Sequence, residues 1–255
     1  MRICNQMSTS KKAQKKAVIL LSGGMDSTTA LAVAQKKGFC IYALTVQYGQ
    51  RHRKEIESAK KICRKFGLQR HLVIEVDLRK IGRSSLTDKI AVPKGRSFSQ
   101  IMSRIPATYV PARNTIFLSL ALAWAESLGA RDIFVGVNAL DHAGYPDCRL
   151  NFVKEFERLA NLATKAGVEG GKFRIHTPLI NLTKKEIIQL GVKLGVDFSK
   201  THTCFDPTLE GLACGVCDSC RLRLEGFREA GLTDPVSYVE TCQPKGNGRT
   251  SRRQK

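Results

Sequence analysis

The sequence predicts a doubly wound, mostly parallel α/β sheet, and three observations carry that reading. Short β-branched runs alternate with stretches of helical periodicity, the pattern expected when helices cover both faces of a parallel sheet. The first run ends in Ser22-Gly-Gly-Met-Asp-Ser27, a tight turn that opens a helical segment. The chain, 255 residues with 42% apolar content, is long enough to bury such a sheet.

The elements follow in order. Strands are predicted at 17–21, 40–46, 71–76 and 132–137, where apolar and β-branched residues cluster between polar stretches. Helices are predicted at 26–37, 51–66, 113–128 and 152–166. In the second, Ile56, Ala59, Ile62, Cys63 and Phe66 share one face; in the fourth, Phe152, Phe156, Leu159 and Ala163 are expected to point inward. Thr183 with Glu186 forms a capping box ahead of Ile187, Ile188 and Leu190, so a helix should run from there to about 194. Residues 79–106 are rich in Gly, Ser and Pro and weakly periodic, which suggests a long excursion or mobile lid. The expected organisation is a basic tail over 1–16, a nucleotide-binding α/β domain over 17–200, a helical metal-binding segment over 201–242 packed on it, and a second basic tail over 243–255.

The glycine pair in the first turn has a chemical reading. Gly23 and Gly24 let bare N–H groups approach an oxyanion, while the following helix adds unpaired amides and a positive dipole end. Ser22, Ser27 and Thr28 can supply hydroxyl donors, and Asp26 is a natural partner for the magnesium that accompanies a nucleotide. No Gly-Lys-Ser/Thr ends the loop, so a pyrophosphate-type cradle for ATP fits better than a Walker A motif. An ordinary strand-to-helix turn with a serine cap is the plainer alternative.

Cys204, followed after nine residues by Cys214-Gly-Val-Cys217-Asp-Ser-Cys220, offers four thiolates in two overlapping Cys-x-x-Cys steps. Four thiolates saturate a tetrahedral zinc ion and leave no open position for water, so the expected site is structural. An iron–sulfur cluster is the main rival, although the usual proline-flanked fourth cysteine is missing. Cys40 and Cys63 fall on faces expected to be buried. Cys148, in Gly144-Tyr-Pro-Asp-Cys148, is a thiol near the expected site. His71 and His176 lie in strand-like runs and read as packed or surface residues, whereas His52, His142 and His202 sit in polar loops as weak candidates for substrate contact.

Charge and targeting set further limits. The net charge of +20 invites a nucleic-acid partner, yet ten basic residues and no acidic ones lie in 1–16 and 243–255, which is half the excess. Such Gly/Arg/Lys-rich ends read as solvated tails, so nucleic-acid contact through them is not the favoured reading. A basic zinc-stabilised RNA-binding module would want aromatics interleaved with the charges, and aromatics are only 7% of the chain. No apolar run approaches eighteen residues and the first sixteen are polar, so the expectation is a cytoplasmic protein with no membrane segment and reduced thiols.

Taken together, several motifs resemble the 7-cyano-7-deazaguanine synthase family across about residues 17–235. They are Ser22-Gly-Gly-Met-Asp-Ser-Thr-Thr29, Gln47-Tyr-Gly-Gln-Arg-His52 with Glu55, Tyr109-Val-Pro-Ala-Arg-Asn114, Gly136-Val-Asn138, Asp141, Gly144-Tyr-Pro-Asp-Cys-Arg149, Thr177-Pro-Leu-Ile-Asn-Leu-Thr183 and the cysteine cluster. Thr203 and Phe205 depart from the Ser and Tyr the family would place there, and both tails exceed what it needs.

The resemblance implies a Rossmann-like, adenine nucleotide α-hydrolase-like fold with a zinc-binding helical C-terminal extension, and a homodimer. It implies a carbon–nitrogen ligase that converts 7-carboxy-7-deazaguanine, ammonia and ATP to the 7-cyano base in queuosine biosynthesis, with release of AMP and pyrophosphate. Ser22, Gly23, Gly24, Ser27 and Thr28 would then hold the pyrophosphate portion and Asp26 the magnesium. Leu21, Met25, Thr29, Ala30 and Leu31 would complete the strand end and first helical turns that position it. Arg113 could steady a phosphate or the substrate carboxylate as a fixed fork, or be a surface residue pairing an acid. Asp147 could accept N–H bonds from the purine edge, or be only a turn former. Tyr145 could stack on the base, and Arg51 and Lys184 are weaker anion candidates. A tRNA-thiolating or amidating ligase with the same loop is the alternative enzyme; thiolation would need reactive cysteines beyond those claimed by the metal.

Overall fold

The computed structural model describes residues 14–68, 70–138 and 144–240, so the ends over 1–13 and 241–255, with Cys4 and Cys242, and the segment holding Asp141 and His142 lie outside the described residues. Among the described residues five strands form one sheet in the order β3-β2-β1-β4-β5: β1 (Lys16–Leu20), β2 (Cys40–Gln47), β3 (His71–Glu75), β4 (Asp132–Phe134) and β5 (Arg174–His176). Every pairing is parallel. β1 opens at Lys16, the residue assigned to the end of the tail.

Alternation along β1 explains the layers. Val18 joins a core with Leu44, Val46, Ile133 and Val135, covered by α4 (Arg113–Ser127) through Leu118, Ala121, Leu122 and Ala125, and by α5 (Leu150–Leu162) through Val153, Phe156 and Ala160. Ala17, Ile19 and Leu21 face the other way. There they meet α1 (Met25–Lys36), α2 (Lys54–Lys65) and α7 (Lys184–Lys193) through Ala30, Leu31, Ala59, Ile62 and Ile187. Helices α3 (Phe98–Met102) and α6 (Lys165–Val168) are short, and α8 (Asp218–Glu229) follows the cysteine cluster. Because β1 feeds β2 on one side while β4 lies on its other side, the connections diverge at the carboxyl ends of β1 and β4, where open α/β sheets bind ligands.

Several expectations are corrected. The stripe on the fourth predicted helix is rotated: Val153, Phe156 and Ala160 are buried, while Leu159 is 51% exposed and Ala163 is exposed. That helix also stops at Leu162, because Thr164 turns its hydroxyl to the Gly167 N–H (3.1 Å) and caps α6. β4 ends at Phe134 instead of 137, since the chain must next clear α1; a Cβ on Gly136 would lie 2.8 Å from Ser27 N. Cys63 is buried, and burial pushes its thiol up to about 12, but Cys40 opens β2 and is only half-buried.

Residues 79–106 form an excursion that packs down and is no free flap. Ser84, Ser85, Leu86, Val92 and Ile101 are buried, Gly95 N donates to Val216 O (2.9 Å), and Lys94 pairs with Asp206 (2.7 Å). The edge strand β5, too short to be legible, is closed from outside by α5. Asn161 exchanges two side-chain bonds with the Phe173 backbone (2.8 and 3.2 Å), and Glu157 accepts from Ile175 N (2.6 Å).

Candidate active site

The phosphate-type turn sits at the carboxyl end of β1. Gly23 has φ +81°, and a Cβ there would overlap the Glu55 carbonyl, so the turn and the first turn of α2 touch only because position 23 lacks a side chain. Gly24 is the N-cap of α1 and contributes no side-chain cap, leaving first-turn N–H groups to an outside acceptor. Ser22 Oγ and Ser27 Oγ lie 3.0 Å apart, and Ser27 Oγ also meets Ser22 N (3.3 Å) and Gly24 O (3.1 Å), so the turn is pre-shaped. Further along the helix, Thr28 Oγ1 donates to Gly24 O (2.8 Å), Thr29 Oγ1 donates to Met25 O (3.0 Å), and Ala30 and Leu31 are wholly in the core. These four side chains shape the first turns of the helix.

Asp26 is the charged centre. Its Oδ2 accepts from Lys184 Nζ (2.6 Å) and Asn138 Nδ2 (3.2 Å), while Oδ1 is buried without a hydrogen-bond partner. Lys184, first residue of α7, is 9% exposed and belongs to the site, a stronger position than its weak sequence signal suggested. Arg51 does not: its guanidinium donates to Ser85 O (3.2 Å) and Ile90 O (3.0 Å) and ties down the excursion.

A cavity of about 280 Å³ joins this turn to the residues expected to meet a planar substrate. Leu21, Ser22, Gly24, Met25, Asp26 and Ser27 line one end; Arg113, Tyr145, Asp147 and Cys148 line the other. Asp147 Oδ2 accepts from Asn114 N (2.9 Å), and its buried Oδ1 is without a hydrogen-bond partner. Tyr145 meets Thr108 (Oη to Oγ1, 2.8 Å), and Arg113 stands 5.6 Å above the Tyr48 ring. Burial works against the Arg113 cation, yet Tyr48, Cys148, Tyr145 and Asp147 hold its pKa above the ordinary value. Burial pushes Glu55, on the same wall, up to about 7 against the pull of Arg113. No signal in the sequence marked that environment.

The four cysteine sulfurs Cys204, Cys214, Cys217 and Cys220 lie within 4.8 Å of one another, all buried, and can hold a metal ion. Asp206 N and Cys214 N donate to Cys204 Sγ (3.4 and 3.3 Å), and Cys217 N donates to Cys214 Sγ (3.3 Å), as suits sulfurs that carry charge. His202 is buried, its N–H donating to Gly23 O (2.9 Å) and its ring 5.1 Å from that of His52, so it braces the phosphate-type turn. Burial and His52 hold His202 down at about 4. His71 and His176 are packed residues, against Thr45 (2.7 Å) and Asp132 (2.6 Å) respectively.

The family described as queuosine biosynthesis protein QueC matches residues 16–231. The chain belongs to that family. Among relatives of this QueC chain, a 7-cyano-7-deazaguanine synthase of Geobacter metallireducens is 61% identical over 238 residues, 93% of this chain and 99% of the relative. Another from Geobacter sulfurreducens is 59% identical over 236 residues, 92% of this chain and 98% of the relative. Among solved structures, an NMN synthetase from Francisella tularensis is similar at TM-score 0.47 and 20% identity, covering 86% of this chain and 79% of that one. Among the described residues no helix is long and apolar enough to cross a membrane.

Proposed function

We propose that this chain makes 7-cyano-7-deazaguanine from 7-carboxy-7-deazaguanine, ammonia and ATP, releasing AMP and pyrophosphate. A carboxylate is a poor electrophile because oxide cannot leave. Attack of the carboxylate oxygen on the α-phosphorus expels pyrophosphate and makes an acyl adenylate that ammonia converts to an amide. The amide oxygen is activated in the same way, and its departure with AMP leaves the nitrile. Two ATP per product follow.

One observation carries the reading at this site: a single cavity runs from the Ser22–Ser27 turn to Arg113 and Asp147. At its first end Ser22, Gly23, Gly24 and Ser27 cradle the departing pyrophosphate, with Thr28 and Thr29 setting the helix whose amides face it. Magnesium fits Asp26, whose buried Oδ1 is an orphaned acceptor, and bound there it would neutralise phosphate charge. Lys184 then supplies a second positive charge. At the far end Asp147 Oδ1 accepts from the donor edge of the purine, Tyr145 packs on its face and Arg113 holds an anion. Zinc fits the four buried thiolates as a closed structural site. A reducing cytoplasm would keep them available, and the working unit is a homodimer. Among the described residues Cys148 is the one cysteine on the cavity wall, which leaves a thiolating ligase short of its second sulfur.

The test is to incubate the full chain with ATP, magnesium, ammonium and the carboxy base and follow acid, amide and nitrile by mass spectrometry. Amide followed by nitrile, with AMP formed at each stage, is the expected result. Neither product appearing, or ATP cut only at its terminal phosphate, overturns the assignment.

A further inference from the structure

We infer that Glu55 is the base that takes protons from the substrate nitrogen during amide and nitrile formation. The inference rests on the reaction proposed above and goes beyond it, because that reaction leaves its protons without a destination.

The proton count is set by the chemistry. When ammonia attacks the acyl adenylate, a C–N bond forms, the C–O bond to AMP breaks, and one N–H proton departs to leave the amide. When the amide oxygen attacks the second α-phosphorus, an O–P bond forms, pyrophosphate leaves and a second N–H proton is lost. Finally the C–O bond breaks with AMP as the leaving group, the third proton leaves nitrogen and the C≡N bond closes. No electrons enter or leave. Each step is helped by an acceptor that is free at neutral pH and stands beside the reacting group.

The other carboxylates on the cavity wall and Tyr48 are committed elsewhere, and His202 Nε2 is hydrogen-bonded to Cys204 O (3.2 Å). Asp26 Oδ2 is taken by Lys184 and Asn138, and its free oxygen is the natural metal ligand. Asp147 Oδ2 accepts the Asn114 amide and its open Oδ1 is the acceptor for the purine edge, while Asp218 is paired with Arg96. Tyr48 is buried beside Glu55, and burial raises its pKa well above the ordinary value, so it keeps its own proton. Glu55 differs from all of these. Glu55 lines the cavity, and among the described residues its carboxylate is acted on by burial and by the Arg113 charge, with no hydrogen-bond partner.

Its placement is also fixed. The Glu55 carbonyl lies where a side chain on Gly23 would have to go, so the first turn of α2 is docked on the phosphate-type turn and the side chain leaves from a braced backbone. Arg113 from α4 and Tyr48 from the end of β2 act on it across the cavity; Asp26 from α1 and Lys184 from α7 share the wall; Lys54 and Glu57, on its own helix, pair with each other (3.4 Å). Burial among these groups holds Glu55 at about 7, so at neutral pH the carboxyl can both take a proton and return it to solvent. Because the base form is the working form, the rate should rise as pH climbs through that value.

The experiment compares the full chain with Glu55→Gln and Glu55→Asp. Acid-dependent exchange of labelled pyrophosphate into ATP reads the first adenylation, which removes no proton from nitrogen. Conversion of the isolated amide to nitrile reads the proposed steps and avoids the titration of ammonium itself. Glu55→Gln should keep exchange within about threefold of the parent, lose on the order of 10²-fold in nitrile formation, and lose the rising limb of the amide-to-nitrile pH profile. Glu55→Asp should keep the limb at a lower rate, and it carries the test if the Gln variant does not fold. Equal loss of exchange and nitrile formation, or a limb that survives in Glu55→Gln, overturns the inference. Absence of acid-dependent exchange in the parent sinks the underlying reaction instead, so the two failures are distinguishable.

Discussion

The phosphate-type turn and the cysteine cluster are both gathered around chain reversals, yet they treat their polar groups in opposite ways. The turn leaves groups open: Gly24 gives α1 no side-chain cap, and Asp26 Oδ1 is buried without a partner. The cluster closes on itself, with four buried sulfurs within 4.8 Å, two of which, Cys204 and Cys214, already receive backbone N–H bonds. Open acceptors and donors suit a ligand that arrives and leaves, whereas a saturated shell suits an ion that stays. The two are physically joined. His202 N donates to Gly23 O, and the buried Arg223 guanidinium grips Thr201, Thr203, Phe198 O and Asp234 around the segment between them.

That contrast can be broken from the open side first. Asp26→Asn should leave the fold intact, since Lys184 remains able to donate to the amide oxygen, but it should cost roughly 10³-fold in acid-dependent pyrophosphate release. A melting curve close to that of the parent, together with lost turnover, is the expected pair of results.

On the closed side, Cys217→Ser removes a fully buried sulfur from the cluster. Bound metal should be lost and the melting temperature should fall by roughly 10 °C, as removal of several kcal/mol does in a chain of this size. Metal analysis and calorimetry check it; unchanged metal content would show that the four sulfurs do not act as one site.

The smallest effect concerns the joint between the regions. A Cβ at Gly226 on α8 would stand 2.7 Å from Lys184 Cβ, so Gly226→Ala should cost about 1–3 kcal/mol of stability by overpacking. It should also raise the KM for ATP by moving the Lys184 ammonium off Asp26. A stability loss with ATP binding unaltered would mean that α8 only packs, without placing that lysine.

Much of this was legible because the relevant physics is local. The Gly-Gly turn reads from sequence since position 23 demands positive φ, and the cysteines read from spacing because Cys-x-x-Cys folds both sulfurs toward one point. β1 and β2 read well because both their faces are buried. What failed was non-local. Lys184 and Asp26 are 158 positions apart, and nothing near either announces the pair. The acidity of Glu55 depends on walls supplied by β2 and α4. On α5, Leu159 looked inward because it is apolar, but the sheet lies against the Val153, Phe156 and Ala160 stripe and leaves Leu159 in water. Periodicity finds a helix more reliably than it finds which way the helix faces.

Asn161 and Glu157 give the outer rim of β5 a further consequence. A bare parallel rim is a template on which a neighbouring molecule can lay down its own backbone, extending the sheet from chain to chain. Here a side-chain amide mimics the missing neighbour at Phe173 and a carboxylate takes the donor at Ile175, so the rim is already answered from within. A second copy adding a strand on this flank would first have to displace these side-chain bonds, which works against a filament grown by sheet addition there.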